Sequence, residues 1–132
     1  MTHEEICTYE VCKLAKEKGF PQHIGNDAYI VENEYDVEYE VGCHYSIQFI
    51  PDYLPTITAP TQSLLQRWLR EEKALHIQIT LWEKGWYNDI WVFEYYEEEK
   101  EYSTRQIHQS TDFDTYELAL EDALKYALEN LI

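Results

Sequence analysis

His76-Ile77-Gln78-Ile79-Thr80-Leu81-Trp82, the turn Glu83-Lys84-Gly85, and Trp86-Tyr87-Asn88-Asp89-Ile90-Trp91-Val92-Phe93-Glu94-Tyr95-Tyr96 form the stretch that decides the fold. Ile77, Ile79 and Leu81 alternate with Gln78 and Thr80, the period of a strand with one buried face. A glycine-bearing turn and a second, aromatic strand follow directly. Glu97-Glu98-Glu99-Lys100-Glu101 then occupies the place of a hairpin loop, and a third strand is expected near Tyr102 to His108. Strands joined this closely must run antiparallel, because a parallel pair needs a long crossover.

Working outward, the best-specified helix follows these strands. Asp114 is placed to cap it, Glu117 completes a capping box, and Phe113 with Leu118 is spaced as a hydrophobic staple. Leu120, Ala123, Leu124, Ala127, Leu128 and Leu131 then hold one apolar face. Before the strands, Thr58-Ala59-Pro60 is expected to open a helix with proline in its first turn, and Leu64, Leu65, Trp68 and Leu69 give that helix its inner face.

The first helix has two candidate starts, a box of Thr2 with Glu5 flanked by Met1 and Ile6, and a later one at Thr8-Tyr9-Glu10. Lys16, Lys18, Gly19, Phe20 and Pro21 mark its end. Cys7, Val11, Leu14, Ala15 and Lys18 recur at helical spacing, so Cys7 is expected in the inward stripe. Residues 28–50 read as strands: Val37-Glu38-Tyr39-Glu40-Val41 alternates strictly, and Tyr45, Ile47 and Phe49 repeat the pattern after Gly42. Pro51, Pro55 and Pro60 make an irregular crossing. The expected fold is α+β, an antiparallel sheet with three helices in the order α-β-β-α-β-β-β-α, the helices mainly on one face. A single domain over 1–132 is expected, with 19–58 as an acidic strand and loop subregion.

Composition narrows the function classes. The chain has 132 residues, 45% hydrophobic and 15% aromatic, with a formal net charge of −16. Four Trp, twelve Tyr and four Phe supply the apolar surface that disordered acidic chains lack. No membrane span is expected, and the acidic start Met1-Thr2-His3-Glu4-Glu5 does not fit a signal peptide. Cys7, Cys12 and Cys43 are too few and uneven for a disulfide framework, which suits reduced thiols in a cytoplasmic protein. Between Lys18 and Arg67 there is no Lys or Arg, while Asp27, Glu32, Glu34, Asp36, Glu38, Glu40 and Asp52 fall there. Direct nucleic-acid binding requires the opposite sign of charge.

Three stretches, taken in order, resemble a known group. They are Thr8-Tyr9-Glu10 leading to Leu14-Ala15-Lys16-Glu17-Lys18-Gly19-Phe20, then Ala59-Pro60-Thr61 with Trp68-Leu69-Arg70-Glu71, then Phe113-Asp114-Thr115-Tyr116-Glu117-Leu118-Ala119-Leu120. They resemble the landmarks of small uncharacterised proteins of Bacteroidetes-type bacteria and their prophages. The resemblance spans nearly the whole chain, implies a phage or mobile-element origin, and carries over no catalytic residue. The second half also resembles double-stranded-RNA-binding domains in topology alone. That function needs lysines at the start of the last helix, where this chain has Asp112, Asp114 and Glu117.

Chemistry-bearing patterns are sparse. His3, His23, His44, His76 and His108 show no ligand spacing, and the adjacent Cys43-His44 would point to opposite faces of a strand. Gly19, Gly25, Gly42 and Gly85 are isolated and build no phosphate loop. No metal and no cofactor is expected. Among 26 acids some pairs fall within reach by chance, so a small carboxylate-using hydrolase is the enzyme alternative.

The aromatic strand offers more. If the helices cover Trp86, Asn88, Ile90, Val92, Glu94 and Tyr96, then Tyr87, Trp91 and Tyr95, with Trp82, form an exposed aromatic surface. A bulge or a second covering layer would instead bury both sets. The expected function is a non-enzymatic protein-binding or accessory role, with those aromatics and the acids Glu32, Glu34, Asp36, Glu38 and Glu40 as partner-binding candidates. The expected partner is a basic protein, and an aromatic sheet face also suits a homodimer. A second alternative is an acidic mimic that inhibits a host nucleic-acid-binding protein. Spread over roughly 7,000 Å² of expected surface, the charge is too dilute for such mimicry unless it is segregated.

Overall fold

The structure, a computed structural model, describes residues 5–34 and 38–132. Contacts divide the chain into two compact units, with the boundary between Thr61 and Gln62. The class is α+β, with two three-stranded antiparallel sheets. The expected order holds, with one strand added ahead of the second helix.

The first unit holds α1 (Tyr9–Glu17), β1 (Asp27–Ile30), β2 (His44–Ser46) and β3 (Thr56–Thr58), with strand order β2-β1-β3. Its helix takes the later of the two starts: Thr8 Oγ1 accepts from Val11 N–H at 3.3 Å. Thr2 lies outside the described residues. The helix ends as the sequence expects: Phe20 N–H donates to Ala15 C=O at 2.9 Å and Gly19 N–H to Lys16 C=O at 3.1 Å. Gly19 takes φ +94°, the left-handed conformation this cap requires.

Three expectations for this unit need correction. Cys7 is buried, yet it precedes α1 instead of lying in its stripe. Its N–H donates to Pro60 C=O at 3.0 Å and its C=O accepts from Tyr29 Oη at 2.6 Å. Glu38 to Val41 form no strand, and Val37 lies outside the described residues. The partner that alternation presupposes is absent, because β1 pairs with His44 to Ser46 instead. Tyr45, Ile47 and Phe49 do not continue one strand either, since β2 stops at Ser46 and a 3-10 turn covers Ile47–Phe49.

The second unit holds α2 (Gln62–Lys73), β4 (Leu75–Trp82), β5 (Gly85–Tyr96), β6 (Glu101–Phe113) and α3 (Tyr116–Asn130), with strand order β4-β5-β6. Helix α2 starts two residues after Pro60, not with it in the first turn, because Thr61 bridges Ile6 and Pro60 C=O is taken by Cys7. The β4–β5 turn needs its glycine. At Gly85, φ is +131° and a Cβ would stand 2.7 Å from Phe113 C=O.

Strand β6 outruns the expected Tyr102 to His108. Its pairing with β5 slips twice, once between Ile90 and Trp91 and once between Trp86 and Asn88. In each step β6 spends one residue more than β5, so both bulges belong to β6. A bulge breaks strict alternation, which is why periodicity lost the strand. Asp112, beside the second slip, takes φ +71°.

The core of this unit is Leu65 and Leu69 of α2, Leu75 and Ile90 of the sheet, and Ala119, Leu120, Ala123, Leu124, Ala127 and Leu128 of α3, all buried. The cap of α3 is Thr115, whose Oγ1 accepts from Leu118 N–H at 3.1 Å, not Asp114. Leu118 is exposed. Thr115→Ala should lower stability by about 1 kcal/mol. Asp114→Ala should leave it nearly unchanged. Urea midpoints of the two variants check the assignment.

Candidate functional site

Register decides what each side of β5 meets. The pairing of β5 with β4 is continuous from Gly85 with Trp82 to Val92 with Leu75, so β5 alternates regularly and residues two apart share a face. Asn88 and Ile90 are buried on the α3 side, where Asn88 Nδ2 donates to Ala119 C=O at 2.9 Å and to Asp122 Oδ2 at 3.2 Å. Trp86 meets Tyr116 edge-on at 5.5 Å on that side, and His108 stacks on Tyr126 at 3.5 Å.

The opposite face carries Tyr87, Asp89, Trp91, Phe93 and Tyr95 from β5. Register adds His76, Gln78, Thr80 and Trp82 from β4, with Tyr102, Thr104, Gln106 and Gln109 from β6. This face is open: Trp82 is 57% exposed, Phe93 and Tyr95 each 49%, and Tyr102 76%. Tyr87 and Trp91 are half-buried. Two shallow hollows lie along it, one of about 300 Å³ at His76, Trp91, Phe93 and Thr104, and one of about 250 Å³ at Trp82, Tyr87, Gln109 and Thr111.

Between the hollows sits Asp89, 6% exposed on a face otherwise open to solvent. Its Oδ1 accepts from Gln106 Nε2, and no Lys or Arg of the described residues pairs with it. None of the residues that share this face is a Lys or Arg. His76 adds no charge near neutral pH, because burial, reinforced by the nearby Arg70 cation, lowers its pKa. The His76 ring packs edge-on against Phe93 at 4.4 Å. Asp89 was not among the residues singled out from the sequence. Its signal was there, as the one acid in the alternating set Tyr87-Asp89-Trp91-Phe93-Tyr95.

The acidic candidates fall elsewhere. Glu32, Glu34, Glu38 and Glu40 are exposed in the first unit and Asp36 lies outside the described residues. Glu40 accepts from Cys43 Sγ at 3.6 Å. Burial first, then this carboxylate, pushes the Cys43 thiol up and keeps it protonated at neutral pH. All three cysteines are free thiols. A smaller hollow of about 200 Å³ in this unit includes Gln22, His23 and Thr58. Its polar groups satisfy one another: Thr58 N–H donates to Gln22 Oε1 at 2.9 Å and His23 N–H to Thr58 Oγ1 at 2.7 Å.

Charge is not segregated between the units. Residues 1–61 carry eleven acids against three lysines, and residues 62–132 fifteen acids against seven Lys and Arg, a net −8 each. Sixteen net charges on 8774 Å² of accessible surface is about one per 550 Å², against roughly one per 100 Å² on duplex DNA. Among the described residues no group of three or more His, Cys, Asp and Glu could hold a metal ion, and no helix is long and apolar enough to cross a membrane. Compared with protein-family models, curated proteins and solved structures, the chain matches none.

The far end of the β5–β6 hairpin is held by Glu94, which accepts from Tyr96 Oη at 2.7 Å and pairs with Arg105 Nη2 at 2.9 Å. The Tyr96 hydroxyl first, then Arg105, lowers the Glu94 pKa below its ordinary 4.5. A depressed carboxylate stabilises the fold above its unfolded pKa and loses that contribution as pH falls through the folded one. Thermal melts from pH 6 to 3 should therefore lose more stability in the wild type than in Glu94→Gln. Trp91 Nε1 is buried without a partner, so Trp91→Phe should cost no more than about 1.5 kcal/mol in urea melts.

Proposed function

We propose that this protein is a non-enzymatic binding or accessory protein whose contact surface is the open face of β4-β5-β6, and that its partner is a basic polypeptide segment. The observation that carries this reading is Asp89: a recessed carboxylate that no Lys or Arg of the described residues pairs with, set among aromatic rings on a face without lysine or arginine. Aromatic faces attract cations through their quadrupoles, and the net −16 of the chain draws basic segments from a distance. For a protein of phage or mobile-element origin, a natural source of such a segment is a host nucleic-acid-handling factor, whose basic tracts otherwise meet phosphates.

The hydrolase alternative gains nothing here, since the His76 ring is turned on Phe93 and Asp89 is engaged with Gln106. Mimicry of DNA loses weight, because the charge is dilute and evenly divided between the units.

Tryptophan fluorescence titrations with a short arginine-rich peptide test the reading, with a glutamate-rich peptide as control. Saturable binding that weakens with salt is expected for the basic peptide only. The triple variant Trp82→Ala/Phe93→Ala/Tyr95→Ala, which leaves net charge unchanged, should weaken it at least about tenfold. Equal affinity in the triple variant would show attraction by bulk charge alone and remove the face from the proposal.

A further inference from the structure

We infer that Asp89 is the seat of one arginine side chain of the partner, with the guanidinium bonded to the carboxylate and lying against Tyr87 and Trp91. The inference rests on the face reading above and narrows it to a single anchor.

Asp89 is 6% exposed, and among the described residues the side-chain hydrogen bond to its carboxylate comes from the neutral amide of Gln106. A recessed carboxylate held by one neutral donor keeps further acceptor sites, and a cationic donor makes the strongest hydrogen bonds to them. The surroundings select which cation. Residues two apart on a strand stand roughly 7 Å from each other, so Tyr87 and Trp91 flank Asp89 along β5. A guanidinium bonded to Asp89 thus lies between the two rings, and a lean toward either brings it within the roughly 6 Å reach of a cation–π contact. It is planar, weakly hydrated and able to stack, whereas an ammonium is compact and strongly hydrated. Arginine therefore fits this slot better than lysine.

Among the described residues no Lys or Arg pairs with Asp89, although Arg70 lies near His76. Arg105, on the neighbouring strand, is paired with Glu94, which lies in the other alternating set of β5. The glutamines beside Asp89, Gln78 and Gln109 by register, are exposed and uncharged. Their amides offer donors and acceptors to the backbone that delivers the arginine.

Amide and indole NMR shifts of the full chain, titrated with blocked arginine amide and with its neutral isostere, blocked citrulline amide, read the anchor directly. Arginine should move the signals of Tyr87, Asp89 and the Trp91 indole, and citrulline should not. In the arginine-rich peptide, Asp89→Asn should lower affinity about ten- to a hundredfold while keeping an acceptor for Gln106, and a lysine-rich peptide should bind more weakly. Equal shifts from arginine and citrulline would overturn the anchor, and that comparison needs no variant to fold. Unchanged peptide affinity in Asp89→Asn would overturn it too, leaving the face reading in place. Failure of the wild type to bind the arginine-rich peptide, or a stable homodimer that buries this face, would take both away.

Discussion

The hydrogen bonds from Asn88 to the Ala119 carbonyl and the Asp122 carboxylate fix which side of β5 meets α3. Both donors of this buried amide find acceptors on the α3 side, while its Oδ1 is left without a partner; a directional pair of this kind ties register more sharply than apolar packing, which tolerates slippage. Ile90, two residues on, is then committed to the same interior with Leu124 and Leu128. Alternation does the rest: with Asn88 and Ile90 turned to the helix, Tyr87, Asp89 and Trp91 must face the other way. Shifting the strand by one residue would bury Asp89 beneath α3 and turn Ile90 out to water. The placement of the open face is therefore a consequence of what holds the core.

Much of this unit was legible in the residues. The leucines and alanines of α3 recur at helical spacing and all of Leu120, Ala123, Leu124, Ala127 and Leu128 are buried. The β4–β5 hairpin announces itself through Ile77-Gln78-Ile79-Thr80-Leu81 and the glycine of its turn. Less visible was anything set by partners distant in sequence. The glutamates and Tyr39 of 38–41 alternate as a strand should, but they form none. Pro60 looks like a helix opener, but its carbonyl is engaged by Cys7. Asp114 and Thr115 are both good caps, and only geometry chooses between neighbours.

The candidate site was half legible for the same reason. That one alternating set of β5 is exposed was one of two readings, the other being that a bulge or a second layer buries both sets; in the structure Phe93 and Tyr95 are exposed and Tyr87 and Trp91 half-buried. The depth of Asp89 could not be read off, because it depends on the side chains of β4 and β6 standing around it, and the register with β6 passes through two bulges that sequence alone does not place. An acid among aromatics is a weak flag on its own. It gains meaning once burial and the lack of a cation are known.

Those bulges also bear on how such a chain stays dispersed. Both outer strands of the sheet would otherwise present rows of unpaired amides and carbonyls, an invitation to fibril growth when an aromatic face lies alongside. The irregular ladder of β6 spoils one template. On the other side Gln66 reaches from α2 to take the Ile77 carbonyl at 2.9 Å, occupying an acceptor that an incoming strand would need. A surface adhesive enough to hold a partner can thus coexist with margins that resist polymerisation.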